Sequence, residues 1–94
     1  MILLSSEAVS DVERVRSFLE RLNPDAAKRA LKRIWDALEM VEKLPSLRRP
    51  TEHPEIRQIV VLFGSSGYIV RYKFLHEQST LLVTRIWHSR EARE

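Results

Sequence analysis

The spacing of apolar residues changes period once along this chain, and that change limits the folds open to it. Up to Val41 apolar side chains recur every three or four positions, whereas in Tyr68–Leu75 they alternate. The first period marks amphipathic helix, the second a half-buried strand. Ala8, Val12, Val15, Leu19 and Leu22 form a first helical stripe, with Ser6 the expected N-cap. Asn23-Pro24-Asp25 ends that helix and starts another: Asn23 caps, Pro24 fits the first helical position, and Asp25 complements the dipole. Ala27, Ala30, Leu31, Ile34, Leu38 and Val41 form the second stripe, with Trp35 on its border. There Lys28, Arg29, Lys32 and Arg33 precede Asp36, Glu39 and Glu42, the unfavourable order for the helix dipole, so packing must hold this helix. So short a link predicts an antiparallel helical hairpin.

Three prolines between Pro45 and Pro54 break the pattern into a loop. Beyond it, Glu55–Phe63, Tyr68–Leu75 and Thr80–His88 are β-rich and are separated by the turns Gly64–Gly67 and His76–Ser79. They predict an antiparallel meander. Tyr68, Val70, Tyr72 and Phe74 should face the helices, leaving Ile69, Arg71, Lys73 and Leu75 on the other side. In the last strand Leu82, Thr84, Ile86 and His88 should oppose Leu81, Val83, Arg85 and Trp87. With Met1–Leu4 as a first strand, the expectation is a single α+β domain over residues 1–94. Its order is β-α-α-β-β-β, a helical hairpin packed on one face of an antiparallel sheet.

Composition narrows the function classes. A content of 44% hydrophobic and 31% charged residues is that of a globular chain. With no cysteine there is no disulfide scaffold, thiol nucleophile or Cys-based zinc site. His53, His76 and His88 are dispersed without ligand spacing, so no metal is expected and no cofactor is implied. Ile2-Leu3-Leu4 is too short for a signal-peptide core and no run approaches a membrane span, which places the chain in the cytoplasm. Basic and acidic residues balance over residues 1–44, so the net charge of +3 arises in the second half. Arg57, Arg71, Lys73 and Arg85 form one basic patch on the exposed sheet face if the strand registers align, suiting an acidic protein or a nucleic acid. Ordinary outward charge that keeps a sheet soluble explains them equally well. Gly64-Ser65-Ser66-Gly67 precedes no helix and is a hairpin turn, not a phosphate cradle.

The residues that punctuate these elements resemble a known family across essentially the whole chain. They are the strand ending near Ser6, the Asp25-Ala26-Ala27 helix start and the Leu44-Pro45 exit. The Gly67-Tyr68-Ile69-Val70-Arg71-Tyr72 strand and the closing Arg85-Ile86-Trp87-His88-Ser89-Arg90-Glu91 segment complete the set. This ordered set resembles the ParE/RelE toxins of type II toxin–antitoxin systems. RelE-like members are ribosome-dependent messenger-RNA endonucleases, whose chemistry needs clustered Lys and Arg around the scissile phosphate. The matching positions here are Ile59, Val61 and Ile69, all aliphatic. The closing segment is more similar to the ParE-like branch, whose characterised members poison DNA gyrase.

The resemblance therefore implies a non-enzymatic toxin, associated with plasmid stabilisation. It would inhibit gyrase by protein contact and meet DNA only through the antitoxin complex. It also implies a cognate antitoxin, ribbon-helix-helix or similar, that wraps a helical segment around the toxin. Trp35, Leu47 and Trp87 are the expected antitoxin contacts. Arg57, Arg71, Lys73, Arg85, His88, Arg90 and Arg93 are the expected target contacts, with Arg90 and Arg93 foremost. His88 lacks a neighbouring carboxylate at strand spacing, so a capping or contact role is expected over catalysis. The alternatives are a RelE-like nuclease using Arg57, Arg71, Lys73 and Arg85 in place of the usual cluster, and a nucleic-acid-binding co-repressor module.

Overall fold

A computed structural model describes residues 1–43, 49–50 and 55–91. Strand β1 (Ile2–Leu4) leads into helices α1 (Ser6–Leu22) and α2 (Pro24–Lys43). A two-residue strand, β2 (Arg49–Pro50), precedes the meander of β3 (Arg57–Phe63), β4 (Ser66–Leu75) and β5 (Thr80–His88). The sheet order is β1-β5-β4-β3-β2, and both helices lie on one face, with α1 against β5 and α2 against β3. The helical hairpin and the antiparallel meander are as the periodicities predict. The first strand departs from the expected antiparallel sheet: β1 runs parallel to β5, pairing Ile2 with Leu81 and Leu4 with Val83, so the sheet is mixed. A parallel pair needs a long crossover between its strands, and the helical hairpin supplies part of it.

Asn23 is the sole residue between the helices. Its amide bonds the Leu19 carbonyl at 2.7 Å, and its Oδ1 accepts from the amides of Asp25 and Ala26. One side chain thus serves the end of one helix and the start of the next. At the start of α1 the cap is Ser5, not Ser6. Ser5 has extended backbone angles, and its Oγ accepts from the Ala8 amide at 3.1 Å. The same hydroxyl donates to the Thr84 carbonyl at 2.9 Å, while the Ser5 amide bonds the Val83 carbonyl. The Ser6 hydroxyl turns to Glu7 instead.

Between β4 and β5 the register shifts: Arg71 faces Arg85, but Tyr72 faces Val83, leaving Thr84 as the extra residue of a β-bulge. The bulge corrects the alternation expected for the last strand. Leu81, Val83 and Ile86 all enter the core with Val70 and Tyr72, and Trp87 pairs with Ile69 on the far face. The turn between β3 and β4 is only Gly64-Ser65, with Gly64 at φ +62°; Ser66 and Gly67 already belong to the strand. A positive φ at the first of two turn residues is the hairpin geometry that favours glycine.

Beside the bulge, Arg85 reaches toward the helices and meets Asp11. Asp11 sits in the apolar face of α1 and is 2% exposed. Its Oδ2 accepts from Arg85 Nε and from the Ile86 amide, both at 2.8 Å, and its Oδ1 accepts from Arg14 at 2.7 Å. Burial alone pushes this carboxyl up, but the bonds from Arg85, Ile86 and Arg14 outweigh it and hold it at about 2. Because the folded-state value is depressed, the stabilisation is present above the ordinary Asp range and is lost as pH falls toward 2.

Two predictions follow from these anchors. Ser5→Ala should cost about 1 kcal/mol in urea unfolding, while Ser6→Ala should stay within about 0.5 kcal/mol; equal losses would place the cap wrongly. The wild-type chain should lose about 2 kcal/mol between pH 4 and pH 2 through Asp11. Asp11→Asn should be less stable at pH 7 and should show a flatter acid limb in the same titration.

Candidate functional site

The structure does not bring the four expected strand cations together. Arg57 pairs across from Tyr72 and so lies on the helix side of the sheet. Arg85 is held by Asp11 on that same side, its Nε and one terminal nitrogen both bonded to the carboxylate. Only Arg71 and Lys73 occupy the outer face. Arg71 lies 5.0 Å over the Trp87 ring, and its Nε donates to Gln58 at 3.3 Å. Trp87 is 7% exposed. The Arg71 guanidinium and this indole therefore make a cation–π contact that holds the cation against the sheet.

A second region gathers at the end of the sheet where α1, the β3–β4 turn and the tail meet. Arg14, Phe18 and Leu22 from α1 face Phe63, Gly64 and Tyr68, with His88, Arg90 and Glu91 closing the far side of a cavity of about 760 Å³. Phe18 is 57% and Leu22 70% exposed. Two large apolar side chains thus stand in water beside a ready-made concavity; Leu22, expected on the buried stripe, is exposed because it is the last residue of α1 and lies past the core contacts of Ala8 and Val15.

The polar rim of this groove is an ordered network. Arg14 bonds Asp11, the Ile86 carbonyl and the Glu91 carboxylate, the last at 3.1 Å. Glu91 in turn accepts from the His88 amide at 3.2 Å, and the His88 Nδ1 accepts from the Arg90 amide at 3.1 Å. The His88 ring meets Tyr68 edge-on at 5.4 Å. Burial, with the charge of Glu91 added, raises the Tyr68 phenol above its ordinary range, so it stays a neutral hydroxyl. The network connects α1 to the first residues after β5 and holds the Arg90 amide, while the Arg90 side chain is exposed. His88 therefore makes its observed contacts within the chain, with the Tyr68 ring and the Arg90 amide.

A third region is the groove between α2 and β3, where Ala37, Met40, Val60 and Leu62 line a cavity of about 720 Å³. Val60 and Leu62 are exposed there on the outer face of β3. Trp35, on the border of α2, is also exposed, and His76 packs edge-on against Phe74 at 5.0 Å. Leu47, His53 and Arg93 lie outside the described residues. Among the described residues no three His, Asp or Glu side chains gather as a metal site would require, and no helix is long and apolar enough to cross a membrane.

The sequence reading missed Asp11, Arg14, Glu91 and the Phe18–Leu22 pair. Asp11 had a signal: it stands three residues after Ala8 and four before Val15, inside the apolar stripe, where an unpaired carboxylate would not be tolerated. Phe18 had another, an aromatic one position off the stripe set by Val15 and Leu19.

Comparison with known proteins agrees with this architecture. Residues 2–93 match the family model described as ParE toxin of type II toxin-antitoxin system, parDE. Toxin RelE1 of Caulobacter vibrioides is 37% identical over 92 residues, covering 98% of this chain and 96% of that protein. Among solved structures, the chromosomal ParDE toxin–antitoxin system from P. aeruginosa superposes with a TM-score of 0.72 at 16% identity, covering 93% of this chain and 92% of the other. The intact E. coli RelBE toxin–antitoxin complex superposes with a TM-score of 0.65, also at 16% identity, covering 100% and 98%. With the helical hairpin, the mixed sheet and a family match that runs the length of the chain, the protein belongs to the ParE/RelE superfamily and is a toxin of the type II toxin–antitoxin class.

Proposed function

We propose that this toxin acts on DNA gyrase in the cytoplasm by protein–protein contact, without chemistry of its own, and is neutralised by a cognate antitoxin. The observation that carries the reading is the dispersal of its strand cations. Cleaving an RNA phosphodiester requires positive charge converging on one phosphate. Here Arg57 lies on the opposite face from Arg71, Arg71 is stacked on Trp87, and Arg85 is neutralised by Asp11. The outer face of the strands offers Val60 and Ile69 instead, and no side chain of that kind stabilises a pentacovalent phosphorane.

The contact surface we assign to the target is the tail side of the α1 groove, where Arg90 is exposed and His88 is held in place by Tyr68 and the Arg90 amide. Its rim cations complement an acidic protein surface. Arg93 continues the same tail beyond the described residues.

For the antitoxin, the solved ParDE and RelBE neighbours are toxin–antitoxin systems, and this chain carries apolar surface suited to such a partner. Phe18 and Leu22, one helical turn apart beside Phe63, match an amphipathic helix docking its apolar face into a groove. The α2–β3 groove with Met40, Val60 and Leu62, next to Trp35 on α2, offers a second stretch for the same wrapping chain.

One finding favours the RelE-like nuclease reading: the Caulobacter vibrioides relative at 37% identity is named RelE1. The two readings separate cleanly. Purified toxin, freed of antitoxin and titrated into gyrase, ATP and relaxed plasmid, should abolish supercoiling and accumulate linear plasmid. Arg90→Ala should weaken that inhibition by about tenfold, the value of one charge-assisted contact. Normal supercoiling together with cleaved messenger RNA in a ribosome assay would replace this reading with the nuclease one. Phe18→Asp should leave toxicity on expression intact but weaken protection by the antitoxin by at least about a hundredfold, since it sets an unpaired charge in an apolar contact. Full protection of that variant would move the antitoxin away from α1.

A further inference from the structure

Among the described strands β1 has one neighbour, β5, so its other side is an edge of the sheet. The Met1 carbonyl accepts from the Leu81 amide at 2.8 Å, the Ser5 amide donates to the Val83 carbonyl at 2.9 Å, and Leu3 stands opposite Leu82. Met1, Leu3 and Ser5 thus commit their backbone groups to β5. Alternate residues of a strand turn their N–H and C=O to opposite sides, so those of Ile2 and Leu4 point away from the sheet.

The two edges of the sheet are built differently. Among the described strands the far edge is Arg49-Pro50, a cation and a residue with no N–H, both of which deter a further strand. Ile2-Leu3-Leu4 has no charge, no proline and no bulge. Ile2 and Leu4 pack against the core, whereas Leu3 alternates to the other face and is 47% exposed. This edge is complementary to itself. Laid antiparallel on a second copy about a two-fold axis through Leu3, Ile2 of each copy stands opposite Leu4 of the other, and each such pair exchanges N–H···O bonds in both directions. The two Leu3 residues then form a non-hydrogen-bonded pair, the closer kind, with their side chains in contact. A second copy thus supplies the backbone bonds and an apolar residue opposite Leu3 at once, while a charged strand would find no counter-charge on β1.

We propose that the toxin, free of its antitoxin, self-associates through β1 into a two-fold dimer whose sheet runs continuously through both copies. Pairing uses up the receptive edge and leaves Arg49-Pro50 outermost, so assembly closes at two copies. Strand β1 is 3 residues long, which puts the dimer in the weak, concentration-dependent class. No residue of β1 lines the groove beside α1 or the one between α2 and β3, so both stay open in the pair. The dimer does not depend on the identity of the toxin's target.

The test uses the full chain freed of antitoxin. Sedimentation over about a hundredfold range of concentration should show monomer passing into dimer and no larger species. Leu3→Lys sets like charges opposite each other on the axis and should weaken the dimer at least about fivefold. Because Leu3 is half exposed, thermal unfolding of that variant at low concentration should stay within about 4 °C of wild type. The chain has no cysteine, so Leu3→Cys gives one thiol per copy. A non-hydrogen-bonded pair brings its Cα atoms to about 4.5 Å, inside the disulfide range. A thiol oxidant should therefore link Leu3→Cys at least about tenfold faster than Leu62→Cys, whose parent side chain is 68% exposed on β3. Hydrogen exchange at the Leu4 amide should slow as concentration rises. A single mass across the range, equal linking through Leu62→Cys, or concentration-independent exchange at Leu4 would each overturn the proposal. So would a chain that stays monomeric while Leu3→Lys weakens protection by the antitoxin, a result that gives this edge to the antitoxin.

Discussion

The carboxylate of Asp11 is the point on which the rest of the molecule is arranged. A buried charge is tolerated only where hydrogen bonds replace its lost hydration, and here Arg85, Arg14 and the Ile86 amide do so. These partners belong to two separate features of the chain. Arg85 and Ile86 follow the bulge in β5, so the carboxylate fixes where that strand shifts register. Arg14 is one turn along α1 and carries the contact onward to Glu91, so the same charge sets the path of the chain leaving the sheet. Removing Asp11 would leave two guanidinium groups facing each other at the seam between helix and strand, which costs more than the pair contributes.

The groove beside Phe18 inherits its shape from that seam. Its floor is made by Tyr68 and Phe63, its wall by α1, and its rim by the Arg14–Glu91 link and His88. An apolar concavity with an ordered polar edge is what a helix-binding surface requires, because the rim gives orientation while the floor gives affinity. The outer face of the sheet is built on different terms: Arg71 lies over Trp87, and its Nε donates to Gln58. A cation committed in this way contributes to packing more than to recognition.

Most of the fold was legible because burial follows period. The 3.6-residue stripes gave both helices, Asn23 gave the junction, and Thr80–His88 was bounded to the residue. What escaped was information carried by partners distant in the chain. The parallel pairing of β1 with β5 leaves no mark in either strand, since both read simply as apolar. The bulge at Thr84 is set by Ser5 and Asp11, some eighty residues away, so alternation carried through it places Ile86 and Trp87 on the wrong faces. Ser5 and Ser6 are chemically equal as caps, and the Val83 and Thr84 carbonyls, both bonded by Ser5, distinguish them. The site was less legible than the fold because the cations' faces depend on registers and partners elsewhere in the chain: Arg57 lies opposite Tyr72 on the helix side, and Arg85 is bound by Asp11. Family membership rested on order and punctuation, which survive such local shifts.

The position of β5 between β1 and β4 reverses the usual relation between synthesis and assembly. Among the described strands, Ile2–Leu4 is made well before the one it pairs with, Leu81–Val83. Asp11 likewise waits for Arg85 and Ile86, and Ser5 for Thr84. Domains commonly begin to consolidate from the N-terminal side during translation, whereas here the helices pack on strands that are made after them. No shorter nascent chain can display the closed sheet or the groove beside α1. For a protein harmful to the cell that makes it, the interval in which an antitoxin must be ready opens only when translation has passed β5.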